Sequence, residues 1–171
     1  MKTTKIIPFS IFEKSNDANI GIEKDEKESV VKFLKKLQSN EFVVFMKLWN
    51  FHWNVVGENF GPDHSFFNEL YDSFFNRIDE AAERIRQLGE RPLGSLKDIL
   101  DSAELKEYKN DEELPEAKEM YEILVDDFET IIKDIREFLD DEDVDSGNTN
   151  YLEDLIMKLE KEAWMLRSHL D

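Results

Sequence analysis

Cysteine is absent from the 171-residue chain. Without thiols the chain forms no disulfide scaffold, thiolate zinc site or iron–sulfur cluster, and it offers no cysteine nucleophile. A chain without disulfides is compatible with a reducing compartment, and we expect a cytoplasmic location.

Glycine and proline are scarce, with six and four residues, and long hydrophobic runs are missing. The longest apolar run, 42–46, is far too short to cross a bilayer. The basic start of the chain is followed by Pro8 and Ser10 and by no small-residue cleavage site, so we expect no signal peptide. We therefore expect no membrane association.

Basic residues are few: the chain has 22 Lys and Arg but 40 Asp and Glu, so its formal net charge is −18. A surface of that sign repels nucleic acid phosphates and anionic membranes and attracts cations. The chain is still 40 % hydrophobic and has 13 Phe, which is too apolar for a disordered acidic polypeptide. Its length is that of one domain with a single core.

Long stretches of helical periodicity dominate what remains. We predict an N-terminal arm over 1–26 and one domain over 27–171. A short helix is predicted near Leu96, Ile99 and Leu100, and a loop over 140–150. The four long helices are predicted at about residues 26–56, 62–88, 115–139 and 151–169. The link between the first two helices is short and the link between the second and third is long, which is typical of the ferritin-like connection. We therefore predict an all-α, ferritin-like four-helix bundle with a short helix between helices two and three.

A ferritin-like bundle that binds iron in its own core needs Glu-x-x-His pairs. No such pair is present, because Trp49, Gly61 and Leu166 stand three positions before the three histidines. A Gly-rich phosphate loop, a Gly-x-Ser-x-Gly elbow and a His-Glu-x-x-His motif are also missing. Any iron site is therefore expected outside the interior of one bundle.

The second helix presents two different faces. At about 100° per residue its apolar residues form a core-facing arc, made of Phe67, Leu70, Phe74, Ile78, Ala81, Ile85 and Leu88. A second face, here called the off-core face, mixes potential metal ligands with apolar residues: His64, Asn68, Tyr71, Asp72, Phe75, Asp79, Ala82 and Glu83. This mixture indicates contact with a second protein surface.

Spacing along the off-core face points to two copies of the chain. His64 and Asp79 are fifteen residues apart, about 22 Å along a helix, so one ion cannot bridge them. Two copies around a two-fold axis would place His64 opposite Glu83 and Asn68 opposite Asp79. His52, near the end of the first helix, adds another ligand at the height of His64. Imidazole and carboxylate together suit iron or zinc, whereas Ca²⁺ and Mg²⁺ sites normally use oxygen alone.

A plainer interpretation of the same residues remains open. A histidine at a helix end is commonly an ordinary surface residue, and Asp79 and Glu83 could form a solvated acidic face paired with Arg84 and Arg86.

The sequence has an Asn-Phe-His-Trp-Asn segment around His52, a second histidine, His64, twelve residues on, and Asp79 and Glu83 fifteen and nineteen residues beyond His64. With this pattern the chain resembles the Dps family, the miniferritins named for DNA protection in starved cells. The resemblance extends from about Glu28 to the C-terminus and is densest over 50–89. It implies a hollow dodecamer built from two-fold dimers, with ferroxidase sites between subunits. In the family the ligands corresponding to His52 and His64 come from one chain, and those corresponding to Asp79 and Glu83 from its neighbour.

The resemblance also implies an activity. Fe(II) is oxidised between subunits, preferably by hydrogen peroxide, and stored as a ferric mineral in the shell, which protects against oxidative stress. The sequence does not distinguish peroxide from dioxygen, and Zn²⁺ is a possible competing ion. Trp53 corresponds to a family tryptophan near the iron site that takes up oxidising equivalents, although packing at an interface is the simpler role.

Two positions depart from the family pattern. Asn68 stands where the family usually has a carboxylate, so we expect it to be a weak metal ligand. Asn150 aligns with a family Asp near the three-fold pore.

Two alternative functions follow. The family name favours a DNA-binding nucleoid protein, but residues 1–28 hold five Lys against six acidic residues, so we expect no direct DNA binding. The other alternative is a catalytically weak structural shell whose sites are impaired by Asn68.

Overall fold

The computed structural model describes residues 18–109 and 113–170, and helices are the only regular elements in these ranges. In chain order they are α1 (Lys24–Asn54), α2 (Phe60–Gln87), α3 (Leu96–Ser102), α4 (Ala117–Asp141) and α5 (Ser146–Arg167). The predicted all-α architecture of four long helices, with a short helix between the second and third, is confirmed.

The long helices pair as two hairpins, α1 with α2 and α4 with α5, and α1 also packs against α3 and α4. Aromatic side chains fill the centre, where the rings of Phe74 and Phe128 meet edge to face with centroids 5.0 Å apart. The predicted core-facing arc of α2 is confirmed, since all its members are buried except the half-buried Ile78. The off-core face is consequently turned away from the bundle interior.

The end of α2 lies where the sequence predicts it. Gly89 has a φ of 90°, a left-handed conformation that glycine adopts without strain. Its N–H donates to the carbonyl of Arg86 at 3.0 Å, and the N–H of Glu90 donates to the carbonyl of Ile85 at 3.1 Å. This closure satisfies carbonyls that the helix end leaves without partners.

The predicted loop over 140–150 is too long, because α5 already begins at Ser146. The Asp145 carboxylate accepts hydrogen bonds from the backbone N–H groups of Gly147 at 2.9 Å and Asn148 at 3.3 Å. This N-cap outweighs the weak helix propensity of a glycine in the first turn. Gly147 therefore lies within the first turn of α5 and does not end the helix.

At the N-terminal end, α1 begins at Lys24, slightly before the predicted boundary between arm and domain. Residues 1–17 of the predicted arm lie outside the described residues, so the division into 1–26 and 27–171 stays a prediction. No helix of the described part is long and apolar enough to cross a membrane.

One acidic residue, Glu41 on α1, is completely buried in the bundle. Neither of its carboxylate oxygens has a hydrogen-bond partner among the described residues. The Arg77 guanidinium, whose positive charge would favour ionised Glu41, donates instead to Glu162 at 2.6 Å. Burial raises the pKa of Glu41 to about 8, and the negative charges of Glu80 and Glu162 add to this shift. Glu41 therefore carries a proton at neutral pH.

We predict that Glu41→Gln removes a pH-dependent loss of stability. Between pH 4.5 and about 8 the folded chain keeps a proton on Glu41 that the unfolded chain releases. The free energy of unfolding of the wild type therefore falls, relative to the variant, by up to about 1.4 kcal/mol per pH unit in this window. Denaturant unfolding at fixed protein concentration measures the difference, with exposed Glu122→Gln as control. Parallel pH profiles for the wild type and Glu41→Gln would contradict the assignment.

Candidate metal centre

The turn between α1 and α2 brings two histidines together. His52 lies in the last turn of α1 and His64 near the start of α2. Their half-buried imidazole rings stack with centroids 3.7 Å apart and an interplanar angle of 23°. The sequence-based expectation that these side chains lie at the same height is confirmed.

Each histidine is held by the backbone of the other. The Nδ1 of His52 lies 2.8 Å from the carbonyl oxygen of His64, and the Nδ1 of His64 lies 2.8 Å from the carbonyl oxygen of His52. A carbonyl oxygen only accepts, so both Nδ1 atoms carry the proton and donate. In the neutral rings both Nε2 lone pairs are then available to a metal, which is the usual arrangement of metal-binding histidines.

Asn68 lies one helical turn after His64 and is hydrogen-bonded on both ends of its amide. Its Nδ2 donates to the Asp72 carboxylate at 2.9 Å, and its Oδ1 accepts from the Tyr71 hydroxyl at 2.8 Å. The Tyr71 ring also meets His52 edge to face, with centroids 5.2 Å apart. Tyr71 and Asp72 lie on the predicted off-core face, and their offsets of three and four residues from Asn68 permit these hydrogen bonds, which the sequence alone did not reveal.

Asp79 and Glu83 lie exposed farther along the same face of α2. Within residues 18–109 and 113–170, no three His, Asp or Glu side chains come together to hold a metal ion. One chain therefore brings His52 and His64 together but does not bring Asp79 or Glu83 to them. Because an α-helix rises about 1.5 Å per residue, α2 keeps the two carboxylates far from the two histidines.

The neighbouring arginines do not occupy these carboxylates. Arg84 donates to Asn148 at 2.7 Å and to Gln87 at 2.9 Å, and Arg86 donates to the carbonyl of Glu90 at 2.8 Å. Among the described residues neither arginine forms an ion pair with Asp79 or Glu83. The alternative in which these carboxylates pair with the arginines has no support in the structure.

Aromatic side chains are exposed on both of the helices that carry the histidines. Trp53 is 57 % exposed and packs against Trp49 with ring centroids 4.7 Å apart, and Phe75 on the off-core face is 62 % exposed. Half-buried Tyr71 lies between the two helices and contacts the ring of Trp49. A group of exposed aromatic rings is typical of a surface covered by another protein chain.

Comparison with known proteins agrees with this architecture. The ferritin-like domain family matches residues 31–171. The chain is 34 % identical to a DNA protection during starvation protein from Helicobacter pylori over 139 residues, which cover 80 % of this chain and 95 % of that protein. A protein of the same description from Brevibacillus brevis is 35 % identical over 144 residues, which cover 83 % of this chain and 95 % of that protein.

A solved structure gives the same result. A Dps protein from Vibrio cholerae O1, described as a member of a broad superfamily of ferritin-like diiron-carboxylate proteins, superposes with a TM-score of 0.82 at 30 % identity. The superposition covers 90 % of this chain and 96 % of that one. The chain therefore belongs to the Dps family of ferritin-like proteins.

Proposed function

We propose that the protein is a ferroxidase and iron-storage protein that works as a dodecamer of two-fold dimers. Fe(II) is its substrate and binds between two copies of the chain, at His52 and His64 of one copy and Asp79 and Glu83 of the other. The observation that carries the proposal is the histidine pair, in which both Nδ1 protons are held by carbonyl oxygens and both Nε2 atoms remain for the metal.

The donor set supports iron as the substrate. Imidazole and carboxylate ligands suit Fe(II), and the negative charge of Asp79 and Glu83 would favour Fe(III) after oxidation. Two Fe(II) ions supply the two electrons that reduce one hydrogen peroxide to water with uptake of two protons. Dioxygen is the alternative oxidant, and Zn²⁺ would compete for the same ligands. The ferric product would be stored as a mineral in the shell, which removes Fe(II) and peroxide together and protects against oxidative stress.

Three observations support a site shared between copies. The carboxylates of Asp79 and Glu83 are exposed and unoccupied by Arg84 and Arg86. They lie too far along α2 to meet the histidines of the same chain. The exposed rings of Trp53 and Phe75 supply an apolar surface for a second copy. In this arrangement Trp53 packs at the interface close to the iron and can take up an oxidising equivalent.

The charge of the chain favours cation handling. A formal charge of −18 on each copy concentrates Fe(II) near the surface of an assembled shell. The relatives are named for DNA protection during starvation. The same negative charge disfavours protection by direct binding to DNA. In this proposal the protection comes from iron and peroxide removal. The cytoplasmic location stays a prediction.

The assembly is predicted to depend on the exposed aromatic surface. Native mass spectrometry at micromolar concentration should show a dodecamer for the wild type. Phe75→Asp should shift the distribution toward monomers, because it places a carboxylate in an apolar contact. Phe75→Leu keeps the apolar character and should retain the dodecamer. A wild-type protein that remains monomeric would contradict the shared site.

Complementation between two inactive chains tests the sharing of ligands. His52→Ala/His64→Ala and Asp79→Ala/Glu83→Ala should each abolish fast Fe(II) oxidation while the helices remain folded. Co-assembly in equal amounts should restore about a quarter of the wild-type rate, since half of the dimers are hybrids and each hybrid has one intact site of two. Stopped-flow absorbance of ferric formation measures the rate. Confirmed hybrid dimers without activity would refute the intersubunit assignment.

Direct DNA binding is predicted to be absent. At physiological salt and neutral pH a gel-shift titration should show no retention of duplex DNA, because the net charge of −18 repels phosphates. If retention does occur, deleting residues 1–17 will show whether the N-terminal segment causes it. Clear retention by the full chain would contradict the prediction, and its loss on this deletion would assign the binding to the N-terminal segment.

A further inference from the structure

The orientation of the Asn68 amide is determined by its neighbours. A carboxylate only accepts hydrogen bonds, so the amide atom 2.9 Å from Asp72 is the NH₂ group. The other amide atom is therefore the carbonyl oxygen Oδ1, and the Tyr71 hydroxyl at 2.8 Å must be its donor. Asn68 thus joins Asp72 and Tyr71 in one directed chain of hydrogen bonds.

This chain lies against the histidine pair. Asn68 follows His64 by one helical turn on the off-core face, and Tyr71 contacts the ring of His52. The Tyr71 hydroxyl uses one of the two lone pairs of Oδ1, so the second lone pair remains for a metal. An amide that rotates freely presents either its oxygen or its nitrogen to a metal ion. The two hydrogen bonds hold the amide of Asn68 in one orientation, so this residue presents a neutral oxygen.

We propose that Asp72 is a positioning residue for the iron site and acts through the amide of Asn68. This inference rests on the proposed function. By accepting the N–H of Asn68, the Asp72 carboxylate holds Oδ1 in place and draws negative charge onto it, as a carboxylate does for a metal-binding histidine. Asp72 thereby compensates for part of the charge that Asn68 itself lacks as a ligand.

Simple attraction between Asp72 and the metal ion is the competing explanation. Asp72 is exposed, and a negative charge near the site attracts a cation whatever residue stands at position 68. The two explanations differ when Asn68 is replaced by Asp. An Asp at position 68 brings its own charge and has no N–H to donate, so a residue that acts through the amide loses its effect, whereas long-range attraction persists.

The experiment is a Co(II) chloride titration of the assembled protein, followed by the visible absorption bands of the bound ion. His52→Ala/His64→Ala identifies the signal that belongs to the site. We expect Asp72→Ala to weaken Co(II) binding about tenfold, the usual scale for a residue that supports a metal ligand. Asp72→Asn should lose only part of the affinity, because its amide oxygen still accepts from Asn68. Glu69→Gln removes a nearby exposed charge on another face of α2 and should leave the affinity unchanged.

The decisive comparison repeats Asp72→Ala in an Asn68→Asp background, where we expect no loss of affinity. Equal losses in both backgrounds would show long-range attraction and overturn the inference, as would an Asp72→Ala variant that binds like the wild type. Helical circular dichroism and native mass spectrometry establish that each variant is folded and assembled. If Co(II) binding depends on the histidines but is unchanged by Asp72→Ala, this inference is wrong while the proposed site stands. A wild-type protein without that binding contradicts the proposed site and this inference together.

Discussion

Two imidazole–carbonyl hydrogen bonds hold the end of α1 against the start of α2, and the candidate metal centre depends on them. The carbonyl of His52 belongs to the last turn of α1, where backbone carbonyls have no partner within the helix. His64 supplies that partner, and His52 reciprocates. The same contacts that close the turn also fix which nitrogen of each ring is protonated. The closure of the turn and the proposed metal site therefore depend on the same pair of hydrogen bonds.

The proposed sharing of ligands follows from the geometry of a single helix. A straight α2 cannot bring Asp79 and Glu83 back to His64, and both carboxylates and the ring of Phe75 are exposed. A neutral residue at position 68 would weaken a site of this kind. In the proposed arrangement the Asp72 carboxylate accepts a hydrogen bond from the Asn68 amide and supports that amide without becoming a ligand itself. The weak-shell alternative rests on the missing charge of Asn68, which the proposed role of Asp72 would offset in part.

Much of this architecture is predictable from the sequence because it follows from local patterns. Helical periodicity gives the four long helices and the buried arc of α2, and Gly89 marks the end of α2. The start of α5 is harder, because the side chain of Asp145 outweighs Gly147. Glu41 is a second feature that the sequence predicts only in part. Its position among apolar core residues is visible in the sequence. That it lacks a hydrogen bond from Arg77 is visible only in the structure, where the guanidinium donates to Glu162.

The metal centre is predictable in part for the same reason. Spacing alone puts His52 and His64 at one height, yet the reciprocal hydrogen bonds and the state of each ring depend on how the turn closes in three dimensions. Likewise, offsets of three and four residues permit contacts of Tyr71 and Asp72 with Asn68, while the direction of these hydrogen bonds requires the coordinates. Contacts between copies depend on surfaces that no single helix pattern specifies.

The most direct measurement is anomalous X-ray diffraction at the iron edge from crystals loaded anaerobically with Fe(II). We expect an iron peak within bonding distance of Nε2 of His52 and His64 from one chain and of the carboxylates of Asp79 and Glu83 from a second. Iron bound through Nδ1, or held entirely by ligands of one chain, would contradict it.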